Sequence, residues 1–378
     1  MKESIRVAMI IQDYLPLGGG AERQLAALAP LLKEQQVEIH ILTRRYSGLL
    51  PYELVDGVPV HRLPIIKPRS FLASLMFTLT AQPLLKRLQP DLVHAHGLLS
   101  PATVAVAAKR RLGTPVVAKV LRGGSFGDLD RLKRKPFGRR RIRLFRQQID
   151  AFVTISQEID EELSTVGVSP EQRFFIPNGV DLKRFYPVSL PEKQALRTAL
   201  GLPGGPIVIY TGRLETEKRI DQLVKIWPSI RITQPDARLL ILGTGTEEAR
   251  LKQMAGDGVL FLGRVDNVAD YLQTSDIFVL PSATEGLSNA LLEAMASGLP
   301  AIATAVGGAP DLIDHCHNGW LISPDKPAEL QEALLTLLND AAFRNNFGRQ
   351  GHRKVVENYA LPATARQLRA LYDQLIIN

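Results

Sequence analysis

Short β-rich runs alternate with helical patterns through the first half of the chain. Six such runs lie at 6–11, 37–42, 59–63, 92–95, 115–120 and 151–155. The glycine turn 18–20 follows the first run, and a helix with leucines at helical spacing then extends to about Gln35. Strands that alternate with helices are joined by right-handed crossovers, so this half predicts a parallel sheet with helices on both faces.

The same alternation begins again after an interruption at 182–206 that is rich in proline and glycine. The new β-rich runs lie at 207–210, 239–242, 259–262, 277–280 and 301–304. A chain of 378 residues favours two domains, and we predict an α/β fold with two doubly wound Rossmann-like domains, 1–182 and 183–359. The last helix, about 362–376, has no strand after it, so we expect 360–378 to pack back on the first domain.

The sheet type also predicts where ligands bind. Ligands of open parallel sheets lie outside the carboxyl ends of the strands. We therefore expect the two domains to face each other across a cleft that holds the active site.

The composition is that of an ordinary soluble globular protein, with 45% hydrophobic and 22% charged residues. The single cysteine, Cys316, excludes an intramolecular disulfide and sites built from clustered cysteines, and it fits a reducing compartment. The apolar run 7–11 is too short for a signal peptide. The longest uncharged run, 70–85, is shorter than the roughly 20 apolar residues of a bilayer span, so a buried or interfacial helix is favoured. We expect a cytoplasmic protein.

The positive charge of the chain is concentrated in one segment. The formal net charge is +8, and residues 1–150 hold 25 Lys or Arg against 11 Asp or Glu. Nine of those basic residues and no acidic residue lie in 131–146; without this segment the chain has 37 basic and 38 acidic residues. A local patch of this kind predicts an anionic partner.

The strongest motif follows the run 277–280. Glu285 lies in the loop after the predicted strand, and Glu293 lies eight residues further on, with a helix predicted to start between them. Eight residues are a little over two helical turns, so both carboxylates can face the same side. The backbone amides of Gly286, Leu287 and Ser288 would lie at the helix N-terminus, where an anion binds well. The alternative is a solvated pair of glutamates on a surface helix.

A second motif follows the run 207–210. Arg213 and Lys218 lie in the loop after a strand, where two cations would offset the charge that develops on a leaving diphosphate. The alternative is a surface loop in which these cations pair with Glu215 and Glu217.

Together these motifs resemble retaining glycosyltransferase family four, a large nucleotide-sugar-dependent family with the GT-B fold. The resemblance covers nearly the whole chain. It is carried by Gly212-Arg213 with Lys218, Gly243-Thr244-Gly245, Glu285 with Glu293, Gly307-Gly308, Ile176-Pro177-Asn178-Gly179-Val180-Asp181 and the N-terminal glycine turn. It implies a hexosyltransferase that uses a nucleoside diphosphate sugar, with a UDP-sugar favoured. The implied acceptor is a glycan or a lipid-linked glycan, in the synthesis of a cell-surface polysaccharide, lipopolysaccharide or glycolipid.

The resemblance also implies a role for each matching residue on the donor side. Arg213 and Lys218 would hold the diphosphate of the donor, Glu285 the hydroxyls of the transferred sugar, and Glu293 the ribose hydroxyls. The other donor contacts would come from the base loop, the amides after Glu285 and glycines that allow close backbone approach. These residues are Arg264, Val265, Gly286, Leu287, Ser288, Gly243, Gly19 and Gly20.

Two histidines end the predicted strand 92–95 of the first domain. Strand alternation puts His94 and His96 on one face, and the family often has a histidine here beside the transferred sugar, for which His96 is the first choice. The alternative is one packed core histidine and one exposed histidine. A zinc site lacks a third ligand at sensible spacing.

The resemblance implies retention without an obvious nucleophile. Glu285 could be taken for a covalent nucleophile, as in retaining glycosidases, but the family places it on peripheral hydroxyls. Our hypothesis is front-face attack in which the leaving diphosphate accepts the proton of the acceptor. No Asp-x-Asp motif stands at a strand end, so we expect no metal and no cofactor besides the sugar nucleotide.

The segment 131–146 follows a loop expected on the acceptor side. Its cations interleave with five apolar residues, Leu132, Phe137, Ile142, Leu144 and Phe145, a mixture that suits an anionic membrane surface. The predicted acceptor and membrane contacts are Arg122, Lys133, Arg134, Lys135, Arg139, Arg140 and Arg141. We therefore expect peripheral contact with the inner face of the cell membrane. The alternative is a solvated basic helix; nucleic acid is disfavoured because no nucleic-acid motif accompanies the charge.

Two other function classes stay open from the sequence. An NADP-dependent oxidoreductase would need G-x-G-x-x-G in place of the glycine turn 18–20, although Arg44 and Arg45 would suit a 2′-phosphate. A non-catalytic nucleotide-sugar-binding protein would have the same fold.

Overall fold

The structure is a computed structural model that describes residues 4–66 and 70–377, and the chain forms two compact units. Unit 1 comprises Met1–Asn178 and Leu361–Asn378, and unit 2 comprises Gly179–Ala360. The chain thus first leaves unit 1 after Asn178, whereas the sequence pattern predicted a boundary after residue 182.

Unit 1 contains an eight-stranded sheet with the strand order β3-β4-β2-β1-β5-β6-β7-β8. All neighbouring strands are parallel except β3, which is antiparallel to β4. The strands are β1 (Ile5–Ile10), β2 (Val37–Arg44), β3 (Tyr52–Val55), β4 (Val58–Leu63), β5 (Leu92–His96), β6 (Val116–Lys119), β7 (Ala151–Thr154) and β8 (Arg173–Phe175). The six predicted runs of this half are confirmed as strands, and β3 and β8 were not predicted.

The helices of unit 1 connect these strands and cover the sheet. They are α1 (Gly20–Glu34), α2 (Phe71–Leu88), α3 (Ser100–Leu112), α4 (Asp128–Lys133), α5 (Gly138–Gln148) and α6 (Gln157–Thr165). Leu25, Leu28 and Leu32 of α1 are buried in the core cluster against β1, as their spacing predicts.

Unit 2 contains a six-stranded parallel sheet with the order β11-β10-β9-β12-β13-β14. Its strands are β9 (Ile207–Thr211), β10 (Arg238–Leu242), β11 (Val259–Gly263), β12 (Ile277–Leu280), β13 (Ala301–Thr304) and β14 (Trp320–Ile322). Its helices are α7 (Leu190–Ala199), α8 (Ile220–Thr233), α9 (Glu248–Met254), α10 (Val268–Thr274), α11 (Asn289–Ala296), α12 (Ala309–Leu312), α13 (Pro327–Asn339) and α14 (Ala341–Asn358). The central strands β9, β12 and β13 are buried along their whole length, which is why they appear in the sequence as continuous apolar runs.

The last helix, α15 (Leu361–Ile377), belongs to unit 1. Leu368, Leu371 and Tyr372 of α15 are buried in the same core cluster as Leu25 and Leu28 of α1. The last helix, α15, therefore packs into the same hydrophobic core as the first helix, α1.

Each sheet has one switch point, where the chain continues from two neighbouring strands toward opposite edges of the sheet. In unit 1 this point lies between β1 and β5, and in unit 2 it lies between β9 and β12. The loops that follow these four strands are where an open α/β sheet binds its ligand.

Candidate active site

Lys218 and Glu285 meet at the switch point of unit 2. Lys218 lies in the loop after β9, and Glu285 lies in the loop after β12. Lys218 Nζ donates to Glu285 Oε1 at 2.5 Å, and Ser282 Oγ donates to the same oxygen at 2.7 Å. Glu285 is only 7% exposed. Lys218 and Glu285 therefore join the two predicted motifs in one buried ion pair. The alternative, a surface loop in which the cations pair with Glu215 and Glu217, is wrong for Lys218, whereas Arg213 does pair with Glu217.

Glycines let the loops at this edge pack backbone against backbone. A Cβ on Gly243 would lie 1.8 Å from the carbonyl oxygen of Gly212, and Gly243 has a φ of +129°. A Cβ on Gly307 would lie 2.5 Å from the carbonyl oxygen of Gly286. Only glycine tolerates such contacts, so these glycines bring the loops after neighbouring strands together.

Arg213 lies in the same loop as Lys218 but is more accessible. Its side chain is 53% exposed, and Nη2 lies 3.5 Å from Glu217 Oε1. Its carbonyl oxygen accepts a hydrogen bond from Tyr210 Oη at 2.9 Å. Burial and the nearby Glu285 carboxylate raise the pKa of Tyr210 well above its usual value, so this tyrosine stays a neutral donor that fixes the loop.

The loop after β12 leads into α11. Ser288 caps the helix, because its Oγ accepts a hydrogen bond from the amide of Leu291 at 3.3 Å. The carbonyl of Gly286 accepts from the amide of Gly308 at 2.6 Å, and Leu287 is buried. Glu293 lies on α11 and is half-buried, so the helix does start between the two glutamates as predicted.

The predicted base loop follows β11 at the same edge. Arg264 is exposed and Val265 is half-buried. The carbonyl of Gly263 accepts from the amide of Gly243 at 2.6 Å, which connects this loop to the loop after β10. All predicted donor residues of unit 2 therefore lie on loops at the carboxyl ends of its strands or in the helix that follows β12.

In unit 1 the glycine turn after β1 precedes α1. Gly19 is the N-cap of α1, and its amide donates to Glu22 Oε2 at 2.6 Å. This amide thus already binds a carboxylate of its own helix, while Gly20 is the first residue of α1.

Both histidines of β5 are buried. Their rings stack with centroids 4.4 Å apart, which confirms that they share one face of the strand. His94 Nδ1 is hydrogen-bonded to Tyr372 Oη at 2.6 Å, so His94 is a core residue that contacts α15. His96 is 5% exposed, and its Nε2 has no hydrogen-bond partner within residues 4–66 and 70–377. Burial, with His94 and Lys119 nearby, holds the pKa of His96 well below its usual value.

Lys119 is a buried cation at this edge that the sequence analysis missed. It ends β6 directly beside His96 of β5, is 4% exposed, and donates from Nζ to Asn178 Oδ1 at 2.8 Å. Burial lowers the pKa of Lys119 to about 8. A charged residue inside an otherwise apolar strand was the signal that could have revealed it.

Asp128, at the start of α4, joins the loops after β5 and β6. Its Oδ2 accepts from the amides of Leu98 at 3.3 Å and Leu121 at 3.1 Å. Burial raises the pKa of Asp128. The half-buried Arg122 lies in the loop that Asp128 stabilises, because the carbonyl of Arg122 accepts from the amide of Asp128 at 2.9 Å.

Thr211, the last residue of β9, is a second residue that the sequence analysis missed. Its hydroxyl is buried and has no hydrogen-bond partner in the described part of the chain. It lies at the same strand end as the loop of Arg213 and Lys218.

The basic segment forms the end of α4, a break and α5, but three of its five apolar residues do not lie on the surface as predicted. Leu132, Ile142 and Phe145 are buried, so they pack in unit 1 rather than interleave with the cations on the surface, and only Phe137 is fully exposed, at 77%. Arg141 is a second correction, because its Nη2 donates to Thr103 Oγ1 at 2.7 Å and to the carbonyl of Leu99 at 3.1 Å. The remaining predicted contacts in this segment are exposed: Lys133, Arg134, Lys135, Arg139 and Arg140.

The described residues contain neither a cluster of metal ligands nor a helix that could span a membrane. No three His, Cys, Asp or Glu side chains among residues 4–66 and 70–377 converge as metal ligands would. No helix in the same ranges is long and apolar enough to cross a bilayer.

Two family comparisons cover most of the chain. The family described as Glycosyltransferase Family 4 matches residues 18–184, and the family described as Glycosyl transferases group 1 matches residues 205–340. The chain is a glycosyltransferase of the family-four type. The predicted resemblance is therefore confirmed, and the oxidoreductase alternative is set aside.

Individual relatives of this glycosyltransferase match along nearly its full length. A GDP-mannose-dependent monoacylated alpha-(1-6)-phosphatidylinositol monomannoside mannosyltransferase of Corynebacterium glutamicum is 28% identical, over 94% of either chain. A UDP-Gal:alpha-D-GlcNAc-diphosphoundecaprenol alpha-1,3-galactosyltransferase of Escherichia coli is 26% identical, over 99% of this chain and 98% of the relative.

The fold agrees with this family. The crystal structure of Anabaena HepE in complex with UDP and glucose superposes with a TM-score of 0.82 at 20% identity, over 98% of this chain and 100% of HepE. The predicted GT-B fold, with two parallel-sheet α/β domains, is confirmed.

Proposed function

We propose that this glycosyltransferase moves a hexosyl unit from a nucleoside diphosphate sugar to a glycan or lipid-linked acceptor, with retention of anomeric configuration. The relatives named above support a sugar nucleotide as donor and a lipid-linked acceptor. A UDP-sugar is favoured because HepE was crystallised with UDP and glucose and the Escherichia coli relative is named for UDP-Gal. The products would enter a cell-surface polysaccharide or a glycolipid.

One observation carries this proposal: Lys218, Glu285 and Arg213 lie on the two loops that flank the switch point of unit 2. Lys218 has three N–H donors and uses one toward Glu285 Oε1, so it can also donate to a diphosphate oxygen. Arg213 offers a planar fork of donors that suits phosphate oxygens. Glu285 would accept from hydroxyls of the transferred sugar, and Glu293 from the ribose.

We propose the following reaction at these contacts. An acceptor hydroxyl attacks the anomeric carbon on the face from which the diphosphate departs. The bond from the anomeric carbon to the diphosphate oxygen breaks, and the proton of the acceptor hydroxyl passes to a diphosphate oxygen. Arg213 and Lys218 stabilise the negative charge that develops on the leaving group, and we propose that the reaction needs no divalent metal ion.

Unit 1 supplies the acceptor side in this proposal. His96 stays neutral because burial disfavours its cation, so its Nε2 can exchange a hydrogen bond with a sugar hydroxyl without adding charge. Lys119 lies beside it and contributes a buried positive charge. Exposed cations of α4 and α5 would contact an anionic membrane surface at the inner face of the cell membrane.

A donor panel tests the proposal. Purified protein is incubated with UDP-, GDP- and ADP-sugars, a membrane extract as acceptor, and either magnesium or EDTA, and products are identified by mass spectrometry. We expect transfer from one sugar nucleotide at equal rates with magnesium and EDTA, and NMR of the product is expected to show the anomeric configuration of the donor. Nucleotide binding without transfer or hydrolysis would instead favour the non-catalytic binding protein, and an inverted product would refute retention.

A further inference from the structure

One face of α2 exposes a stripe of large apolar side chains. Phe71 is 80% exposed, Leu72 54%, Leu75 43% and Leu79 57%. Scattered exposed leucines are normal on soluble proteins, but a contiguous apolar patch marks an interaction surface.

The stripe is not the face by which α2 joins the fold. Ala73, Phe77, Ala81 and Leu85 are buried on the other side of the helix. Residues 70–85 contain no charged residue, and large apolar side chains lie on both the buried and the exposed side of α2, which is typical of a helix that is covered on both sides. The described part of unit 1 covers only one side.

In the part of unit 1 that the structure describes, the helices that follow α2 carry exposed cations: Arg110, Arg111, Arg139, Arg140 and Arg143. On its buried side α2 packs against α3, which also packs against the basic helix α5. Arg141 of α5 reaches Thr103 of α3, and the last turn of α3 carries Lys109, Arg110 and Arg111. An apolar stripe on a helix that packs next to such basic helices matches a surface that is apolar below and anionic above.

We propose that α2 lies in the interface of an anionic bilayer, with its exposed stripe at the boundary of headgroups and acyl chains, while the cations of α5 contact the headgroups. This inference rests on the proposed lipid-linked acceptor and adds the element that reaches the lipid, because the buried apolar residues of 131–146 cannot. An amphipathic helix binds in this way through buried apolar area together with attraction to anionic lipid. Nucleic acid would not match the aliphatic stripe.

Vesicle flotation with a charge placed in the stripe tests the proposal. The variant Leu75→Glu/Leu79→Glu is compared with Ile232→Glu on α8, where the isoleucine is 84% exposed and lies in unit 2. We expect wild type and Ile232→Glu to float with phosphatidylcholine vesicles that contain phosphatidylglycerol. We expect the double variant to partition at least about tenfold less, because two leucine contacts are lost and two like charges are added.

A second variant avoids the risk that the double variant misfolds. Both native tryptophans, Trp227 and Trp320, lie in unit 2, so Leu75→Trp places one additional reporter on α2. We expect its emission to shift to shorter wavelength on anionic vesicles and to be quenched by brominated lipid. An unchanged emission, or equal flotation of the folded double variant and wild type, would overturn the proposal.

Two controls separate this inference from its alternatives. If α2 is covered by a second copy of the chain, sedimentation without lipid will show a dimer that Leu75→Glu/Leu79→Glu dissociates, and the membrane role is then wrong. Release of free nucleotide from the sugar nucleotide in lipid-free solution reports the donor site alone, and we expect the double variant to match wild type. Absence in wild type of both this release and transfer to the membrane-extract acceptor would refute the proposed function while leaving the flotation result to stand by itself.

Discussion

Arg213 and Lys218 share a loop but are held differently. Lys218 is tied to the buried Glu285 at 2.5 Å, whereas Arg213 is half exposed and lies 3.5 Å from Glu217. Removal of Lys218 would leave a buried carboxylate without its cation, so such a variant mixes a stability effect with any catalytic effect. Arg213 is therefore the cleaner test of the diphosphate contact.

We expect Arg213→Ala to lower kcat about 10²- to 10³-fold with little change in thermal stability, because its proposed contact forms with the leaving group. Arg250→Ala is the matched control, since Arg250 is 54% exposed and pairs with Glu247 in the same unit. The measurement is steady-state kinetics beside a thermal melt. Unchanged turnover in Arg213→Ala would refute the assigned role.

A second prediction for a single residue concerns Lys119. The pKa of Lys119 falls from 10.5 to about 8 on burial, so the folded state disfavours the cation. The resulting cost in folding free energy is fully present below pH 8 and disappears as the pH rises toward 10.5. We expect Lys119→Met to stabilise unit 1 by about 1–3 kcal/mol at neutral pH and to lower activity. Hydrogen exchange of unit 1 peptides is the measurement, because both tryptophans lie in unit 2. Destabilisation at neutral pH, or stabilisation that persists above about pH 10, would contradict the assignment.

The loops of unit 2 are the elements on which the donor site depends. Gly243 contacts the carbonyl of Gly212 so closely that a Cβ would lie 1.8 Å away, and backbone cannot yield as a flexible side chain can. The loops after β9 and β10 therefore fix each other.

We expect Gly243→Ala to lower the free energy of unfolding of unit 2 by about 2 kcal/mol or more and to weaken nucleotide binding at least about tenfold, because the loop of Arg213 must move. Gly256→Ala is the control, since a Cβ there meets nothing within 4 Å. Tryptophan fluorescence during denaturation reports unit 2, and calorimetry reports binding of the nucleotide. Similar results for the two variants would show that the close contact has no such role.

The strands were predictable from the sequence where they are buried and lie in the centre of a sheet. Continuous apolar runs mark β9, β12 and β13 because both faces of these strands are covered. The strands β3, β8 and β14 were missed because they are short edge strands with partly exposed residues, whose sequences lack both a long apolar run and strict alternation.

At the level of the whole molecule, the last helix, α15, contacts elements near the start of the sequence. Tyr372 of α15 is buried and bonded to His94 of β5, and Arg369 of α15 donates to the carbonyl of Gln35 just beyond α1. Unit 1 is therefore assembled from both ends of the sequence, while unit 2 is one continuous segment.

We expect a chain that ends at Ala360 to keep unit 2 folded and to lose much of the stability of unit 1, because Leu368, Leu371 and Tyr372 would no longer cover its core. Tryptophan fluorescence should then stay native, while hydrogen exchange in peptides of β1 and β5 becomes fast. As a comparison, Arg353→Ala removes only an exposed pair with Glu357 on α14 and is expected to leave both signals unchanged. Protection of β1 and β5 in the truncated chain would contradict the role of α15.

The sequence by itself determined the two α/β units, most of their strands and the loops that carry Arg213, Lys218 and Glu285. These features depend on hydrophobic periodicity and on residues a few positions apart, which a single sequence displays directly. Only the tertiary structure decided that Lys218 pairs with Glu285, that His94 contacts Tyr372, and that Lys119 is buried beside His96. It also decided which side of α2 is left exposed. The physical reason is that each of these contacts joins segments far apart in the chain, and their proximity follows from strand order and helix packing rather than from local pattern.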